Sequence, residues 1–451
     1  MSVHELLCKR AEEKRPIRVG MIGAGRYGAM YLAQSRFIPG IQIVSIADLN
    51  LEKARKALLS SGYPPGSIIV AKSSGEINDA ANRGVIALTT DSGKLIESEL
   101  DVMIEVTGTV EAAAKHAWCA LESGKHVVMV STEADALVGL ALQKKAEEKK
   151  VVYSFGYGDE PAELCEMVDW VRSSGFQVVC VGKYIEYTPE KRHCNPSNVW
   201  DFKKSYSKQL TDTLNAKMFS SFVDGTKTLT ECCCAANACG LVPPSGGMQF
   251  PPLEYDDMAN QLIPKSEGGL LDYCDTVEVP SNFYHDGRPV TKHLRWGVFI
   301  TYKAYSDYVA GFLSDFRDEK RVIVDKTGYY GFMYRPTHIL GLELNKSVAS
   351  VALFGLPTGC PKGFTADMVA VAKKDLRPGE SLDGPGAYTT YGQLLPAKES
   401  LQNRYLPTGF SENVKVIRPV AKDKILTYDD VSIDESLFSY KLRKQIEAGK
   451  L

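Results

Sequence analysis

The chain has no excess of charge of either sign. Lys and Arg number 53 against 55 Asp and Glu, a net charge of −2 over 451 residues. A balanced field offers nothing to a polyanion, so nothing here reads as nucleic-acid binding. It also has no apolar run of membrane-spanning length, and Met1 to Arg15 is charged and amphipathic without an apolar signal core, so a cytoplasmic chain is expected. Eleven cysteines are present, yet no CxxC pair. In a cytosolic chain thiols stay reduced, so neither a disulfide framework nor a zinc site is expected. The run Cys232-Cys233-Cys234 with Cys239 does not change this. At about 100° per residue, Cys232 and Cys239 share a helix face while Cys233 points nearly opposite. Such a spread cannot converge on one tetrahedral ion, so these cysteines read as small apolar residues in a packed helix.

What the chain does have is Gly23-Ala24-Gly25-Arg26-Tyr27-Gly28, between the apolar run Ile17 to Ile22 and the helix-compatible run Ala29 to Ser35. Strand, glycine turn and helix in this order predict a βαβ unit that binds a nicotinamide dinucleotide, NAD(P)H. The first glycine allows the turn, the second admits a pyrophosphate, and the third packs the helix on the strand. The helix N-terminus offers amides to the phosphates. A second strand, Ile41 to Ala47, ends in Asp48, at the spacing where a carboxylate accepts hydrogen bonds from an adenosine ribose. Asp48 would repel a 2′-phosphate, whereas Arg26, Lys53 and Arg55 would accommodate one, so NAD and NADP both stay open.

Strands and helices keep alternating, as in a doubly wound parallel sheet. Leu100 to Val106, a helix over Glu111 to Ser123, Lys125 to Val130 and Val151 to Phe155 continue it. Ligands in such sheets lie outside the carboxyl ends of the strands, so Thr107, Gly108 and Ser131-Thr132-Glu133 are candidate contacts, with Thr107 and Gly108 flanking the nicotinamide. Asp159-Glu160-Pro161 begins a helix that Gly175 stops, and Phe176 to Tyr187 is β-like apart from Lys183 and Glu186.

Substrate chemistry is expected in the middle of the chain. Read as one helix, Phe222 to Gly240 places Asp224, Lys227 and Glu231 within about 60° of one another, a polar stripe on an otherwise apolar element. Such a stripe needs a cleft, a substrate or an internal ion-pair ladder. Lys183, Asp224, Lys227 and Glu231 are the candidate catalytic residues. A second rank of cations, Lys191-Arg192-His193, then Arg288, Lys292, His293 and Arg295, then Arg335 with His338, suits phosphate or carboxylate. Pro243 to Arg288 reads as ordered loops interrupted by Leu262, Leu270 and Leu271. His338 to Phe354 resumes helical patterning, and from Phe364 short strands and turns suggest a β-rich module built from a degenerate repeat.

The stretches Gly20 to Gly28, Gly124 to Gly139, Val152 to Trp170, Met218 to Leu241 and Tyr334 to Gly359, with the turn Lys374 to Glu380, resemble the homoserine-dehydrogenase-like oxidoreductases with a C-terminal SAF module. One branch of that family is the deoxyxylulose phosphate reductoisomerase-like proteins. The resemblance implies an α/β chain in three parts. These are a Rossmann domain over 1–160, a central α/β catalytic and dimerisation domain over 161–363 whose segment 336–356 returns to the first, and a small β-rich SAF-like domain over 364–451. It further implies a homodimer acting on a small polar, in one branch phosphorylated, carbonyl or hydroxy substrate. In that branch NADPH-dependent reduction accompanies rearrangement to methylerythritol phosphate. Asp224 with Lys227 resembles the Asp and Lys that homoserine dehydrogenases carry on a central-domain helix. Those enzymes also place a Lys after the strand matching Lys125 to Val130, where this chain has Ser131-Thr132-Glu133-Ala134-Asp135, which argues against homoserine itself. Glu133 and Asp135 would suit a divalent cation, but helix capping or solvated acids are the favoured account. A simple dehydrogenase of a hydroxy acid or sugar acid, and a dinucleotide sensor without turnover, are the competing readings.

Overall fold

Seven short runs rich in Ile and Val build the first sheet, and their apolar residues face helices on both sides, as a parallel sheet requires. They are β1 Ile17–Ile22, β2 Ile41–Ala47, β3 Ile68–Val70, β4 Ile86–Thr89, β5 Val102–Glu105, β6 His126–Met129 and β7 Tyr153–Phe155. The structure, a computed structural model, describes residues 2–450 except 204, 205, 213 and 295. The strand order is β3-β4-β2-β1-β5-β6-β7, and every pairing is parallel. The order reverses between β1 and β5, the switch point of the expected doubly wound Rossmann-like sheet.

Local signals set the helices. Asn50 caps Leu51–Ser60 by accepting the Lys53 amide, Ser73 caps Ser74–Asn82, and Asp91 caps Ser92–Glu97. By contacts the chain divides into two units, the first comprising Met1–Glu163, Ile339–Pro361 and Ser436–Leu451. Its core gathers Val19, Ile46, Leu88, Ile104 and Val128 with Leu344, Val348 and Val351. The last three flank or belong to the helix Asn345–Phe354, which is shorter than the helical stretch expected from His338.

The second unit, Leu164–His338 with Lys362–Glu435, holds a five-stranded sheet. Its strands are β8 Gln177–Lys183, β9 Thr276–Glu278, β10 Val298–Lys303, β11 Ile323–Val324 and β12 Tyr330–Arg335, in the order β11-β12-β10-β8-β9. Two small antiparallel sheets complete the unit. One pairs β13 Ala366–Ala372 with β15 Thr390–Pro396, and the other joins β14 Ser381–Asp383, β16 Glu412–Val416 and β17 Val431–Ser432. The expected 364–451 module is therefore divided. Residues up to Glu435 group with the central segment, and Ser436–Leu451 with the first unit, where Glu111 accepts the backbone amides of Phe438 and Ser439 at 3.0 and 2.9 Å. No helix among the described residues is long and apolar enough to cross a membrane.

Glu278 on β9 is wholly buried, and desolvation pushes its carboxyl up to about 7 from an ordinary value near 4.5. The amides of Val279 and Gln249, at 2.8 and 3.3 Å, hold the charged form and limit the rise. A group whose folded pKa lies above its unfolded one keeps its proton longer in the fold, so stability falls as pH rises from about 4.5 through 7. Glu278→Gln is expected to flatten that slope in urea unfolding curves, by about 3 kcal/mol at most across the window.

Candidate active site

The glycine turn lies at the carboxyl end of β1, and each of its three glycines meets different surroundings. Gly23 has φ +105, and a side chain there would meet the Val106 carbonyl oxygen at 2.8 Å and the Thr107 amide nitrogen at 3.1 Å. Gly28 would meet the Gly23 carbonyl oxygen at 3.0 Å and the Met21 side chain at 3.2 Å, whereas at Gly25 no atom stands within 4 Å. The turn thus closes onto β5, the helix closes onto β1, and the middle glycine opens outward, the division of roles that a pyrophosphate cradle needs. The helix Arg26–Ser35 has Gly25 as its N-cap, so no capping side chain competes for its first amides. These features fit a dinucleotide phosphate.

Asp48 is tied to the cradle itself. One carboxylate oxygen accepts the Ala24 amide at 2.8 Å and the other the Asn50 amide at 2.8 Å. Ribose binding by Asp48 would use its remaining lone pairs, and the same contact makes it part of the turn. Arg26 and Lys53 are exposed and Arg55 half-buried.

Thr107 and Gly108 follow β5, half-buried and exposed respectively. Behind them lies a side chain that periodicity did not single out, the wholly buried Glu105. It accepts the Thr107 hydroxyl at 2.6 Å and the Ser131 hydroxyl, and His116 Nδ1 stands at 3.4 Å. The loop acids suggested for a cation lie in the first turn of the helix Thr132–Lys149. Asp135 is buried there and accepts the Tyr153 hydroxyl at 2.7 Å, an internal tie.

In the second unit the expected single helix over Phe222 to Gly240 is two, Ala216–Val223 and Thr226–Cys239. The break falls at Asp224-Gly225, where Gly225 has φ +86, a conformation that L side chains rarely adopt. Asp224 therefore leaves the stripe. Its Oδ1 accepts the Thr226 amide at 2.9 Å, and its Oδ2 stands 2.8 Å from Lys373 Nζ. Lys373 also donates to the carbonyls of Cys194 and Ala387, so this buried ammonium has three acceptors. Lys227 and Glu231 remain one turn apart on the second helix, Lys227 half-buried and Glu231 buried. Cys232, Cys233 and Cys234 are fully buried in the same helix, and all the cysteines are free thiols.

Glu231 faces Lys183 across 3.0 Å, both within the core. Lys183 ends β8 and lines a small cleft together with Glu186, Lys191, Lys203, Thr228, Asn282 and Trp296. Lys203 pairs with Glu186 at 2.6 Å. Lys191 is buried too, but it donates to the Glu186 backbone carbonyl at 3.0 Å and lies 4.5 Å above the Phe283 ring, with no carboxylate in ion-pair reach among the described residues. Burial pushes its ammonium below the ordinary lysine value, with Glu186 opposing. Asn282 Oδ1 is buried without a hydrogen-bond partner among the described residues. A cleft with three ammonium groups, one lining carboxylate and an orphaned amide oxygen suits an anionic molecule bearing hydroxyls.

The other second-rank cations are placed elsewhere. Arg192 is stacked among Phe250, Tyr391 and Tyr187 at 4.8, 4.9 and 5.7 Å, and His193 pairs with Asp423 at 2.7 Å. Arg288 and Lys292 make exposed ion pairs with Asp286 and Asp256. Arg335 stands 3.9 Å from Glu166, and Arg295 lies outside the described residues. Lys203, Asn282 and Trp296 escaped sequence reading because they come from separate loops. Only the fold makes neighbours of them.

Known proteins match this layout piecewise. Residues 19–155 match the family model of the homoserine dehydrogenase NAD-binding domain, and residues 158–344 that of the oxidoreductase DRL catalytic domain. No curated protein matches the chain. Among solved structures, a homoserine dehydrogenase from Thiobacillus denitrificans is 21% identical with a TM-score of 0.35, over 50% of this chain and 49% of that one. The chain thus spans about half the length of that enzyme. A probable dehydrogenase from Thermotoga maritima is 12% identical with a TM-score of 0.37, over 76% of this chain and 90% of that one. A levoglucosan dehydrogenase in complex with NADH is 17% identical with a TM-score of 0.28, over 40% of this chain and 47% of that one. The two family models lie head to tail, a nucleotide-binding domain followed by a catalytic one. Part by part, the chain is thus similar to NAD-binding oxidoreductases.

Because the space above Gly25 is open, Gly25→Val is expected to leave thermal unfolding nearly unchanged while weakening NADH binding at least about tenfold in calorimetric titration.

Proposed function

We propose that this chain moves hydride between NAD(P)H and the carbonyl carbon of a small anionic, hydroxylated substrate held in the lysine-lined cleft of the second unit. One observation carries this reading: three buried or nearly buried lysines share one cleft with an orphaned Asn282 oxygen. A charge taken out of water is retained where a partner of opposite sign offsets the loss, and among the described residues Lys191 has no side-chain partner of that kind. A phosphate or carboxylate would supply it.

The cradle residues Gly23, Gly25 and Gly28 would hold the dinucleotide's pyrophosphate, Asp48 its ribose, and Thr107 and Gly108 the edge of its nicotinamide. When bound, the reduced nicotinamide supplies hydride. On the substrate side, an ammonium held by a carboxylate can polarise a carbonyl and pass a proton to the alkoxide that forms on reduction. Lys183, fixed by Glu231, is suited to that work. Lys227, one turn before Glu231 and next to the cleft-lining Thr228, would bind a substrate oxygen. Asp224, tied to Lys373 and to the start of the helix, keeps that helix in place.

Within this class the reductoisomerase branch is the reading we favour, with deoxyxylulose phosphate as substrate, because a phosphorylated ketose answers both the cation excess and the orphaned amide. A cytoplasmic homodimer with a SAF-like tail belongs to the same proposal. NADPH oxidation by the purified chain with deoxyxylulose phosphate, aspartate semialdehyde and sugar-acid carbonyls tests it, with the product checked for rearrangement. Turnover of the phosphorylated ketose to methylerythritol phosphate is expected. Turnover of only an unphosphorylated carbonyl contradicts the branch. Lys183→Met is expected to reduce kcat by about 10²–10⁴-fold with NADPH affinity unchanged.

A further inference from the structure

Glu105 stands where a doubly covered parallel sheet expects an apolar side chain. It ends β5 after Val102, Met103 and Ile104, all buried, and is itself 0% exposed. It pairs in register with Ile22 of β1 on one side and Met129 of β6 on the other, so it lies at the switch point, immediately behind the glycine turn. An ionised carboxylate only accepts hydrogen bonds, which forces the hydroxyls around it to donate. Thr107 Oγ1 donates to it at 2.6 Å and in turn accepts the Thr109 amide at 3.3 Å. Ser131 Oγ donates to it and in turn accepts the Gly108 amide at 2.9 Å. The Thr107 amide adds a longer contact at 3.3 Å. One carboxylate thus sets the direction of two hydroxyls, and these fix the backbone of the loop after β5 against the loop after β6.

We propose that Glu105 is a positioning residue for the nicotinamide half of the bound dinucleotide, acting through Thr107, Gly108 and Ser131. The inference rests on the oxidoreductase reading above. The adenine half is governed by other groups, the glycine turn and Asp48, so the two halves of the cofactor respond differently when Glu105 changes.

Glu105→Gln keeps the shape but removes the charge and puts an N–H₂ group against one of the two hydroxyls, which must then turn to accept where it donated, and this loosens its hold on the loop. Calorimetric titration with NADH and, separately, with ADP-ribose reads the outcome. Binding of NADH is expected to weaken about tenfold or more, with ADP-ribose within twofold of the unsubstituted chain. Equal weakening of both ligands would make Glu105 a general structural residue, and no change in either would remove its role; each overturns the proposal. Ser131→Ala, which removes one arm of the relay and leaves the carboxylate, is expected to show the same split at smaller size. It decides the matter if Glu105→Gln does not fold. Should the unsubstituted chain bind neither ligand, the oxidoreductase reading itself is what fails.

Discussion

The backbone at Gly23 runs so close to the Val106 carbonyl that no side chain fits between them, and the first unit is organised around that approach. It holds the end of β1 against the end of β5, the pair at which the strand order reverses. It also turns the chain sharply enough for a helix to begin at Arg26 with its first amides facing outward. Asp48 reinforces the arrangement by accepting the Ala24 amide from the neighbouring strand end. A concave, donor-rich edge results, and its shape is set by backbone contacts, with no reliance on flexible side chains.

The second unit depends on how its buried charges are satisfied. Lys373 has a carboxylate and two carbonyls, a complete set of acceptors for an ammonium, and it joins β13 to the break between two helices. Arg192 is enclosed by aromatic rings and donates to the Asp224 and Gly392 carbonyls. Such groups rigidify and need nothing further. Lys191 differs because its ammonium meets a single backbone carbonyl and a ring face beside an open cleft. That difference between closed and open cations separates structural charges from those offered to a ligand.

Much of the first unit was legible in the sequence because its signals are local. Glycine spacing, apolar runs of strand length and capping residues each act within a few positions, and the five expected strands fall within a residue or two of their observed places, whereas the short β3 and β4 were not singled out. The polar stripe of the second unit was misread for an equally physical reason. Helical periodicity runs unbroken through Asp224, and only the backbone at Gly225 reveals that the helix restarts there. The true partner of Asp224, Lys373, lies just beyond β13, far along the chain, where no spacing rule reaches. Glu105 was passed over because it lies inside the apolar run Leu100 to Val106 and its hydroxyl partner Ser131 comes from another strand end. The cleft was invisible for the same reason as the ion pairs, being assembled from loops whose proximity is a product of folding.

The central claim is that the cradle at the end of β1 holds a nicotinamide dinucleotide. Isothermal titration of the purified chain with NADH and with NADPH addresses it most directly. Saturable binding of at least one of them, one per chain at roughly micromolar or tighter affinity, is the result expected. Well-folded protein that gives no binding heat with either, at several temperatures, would contradict it.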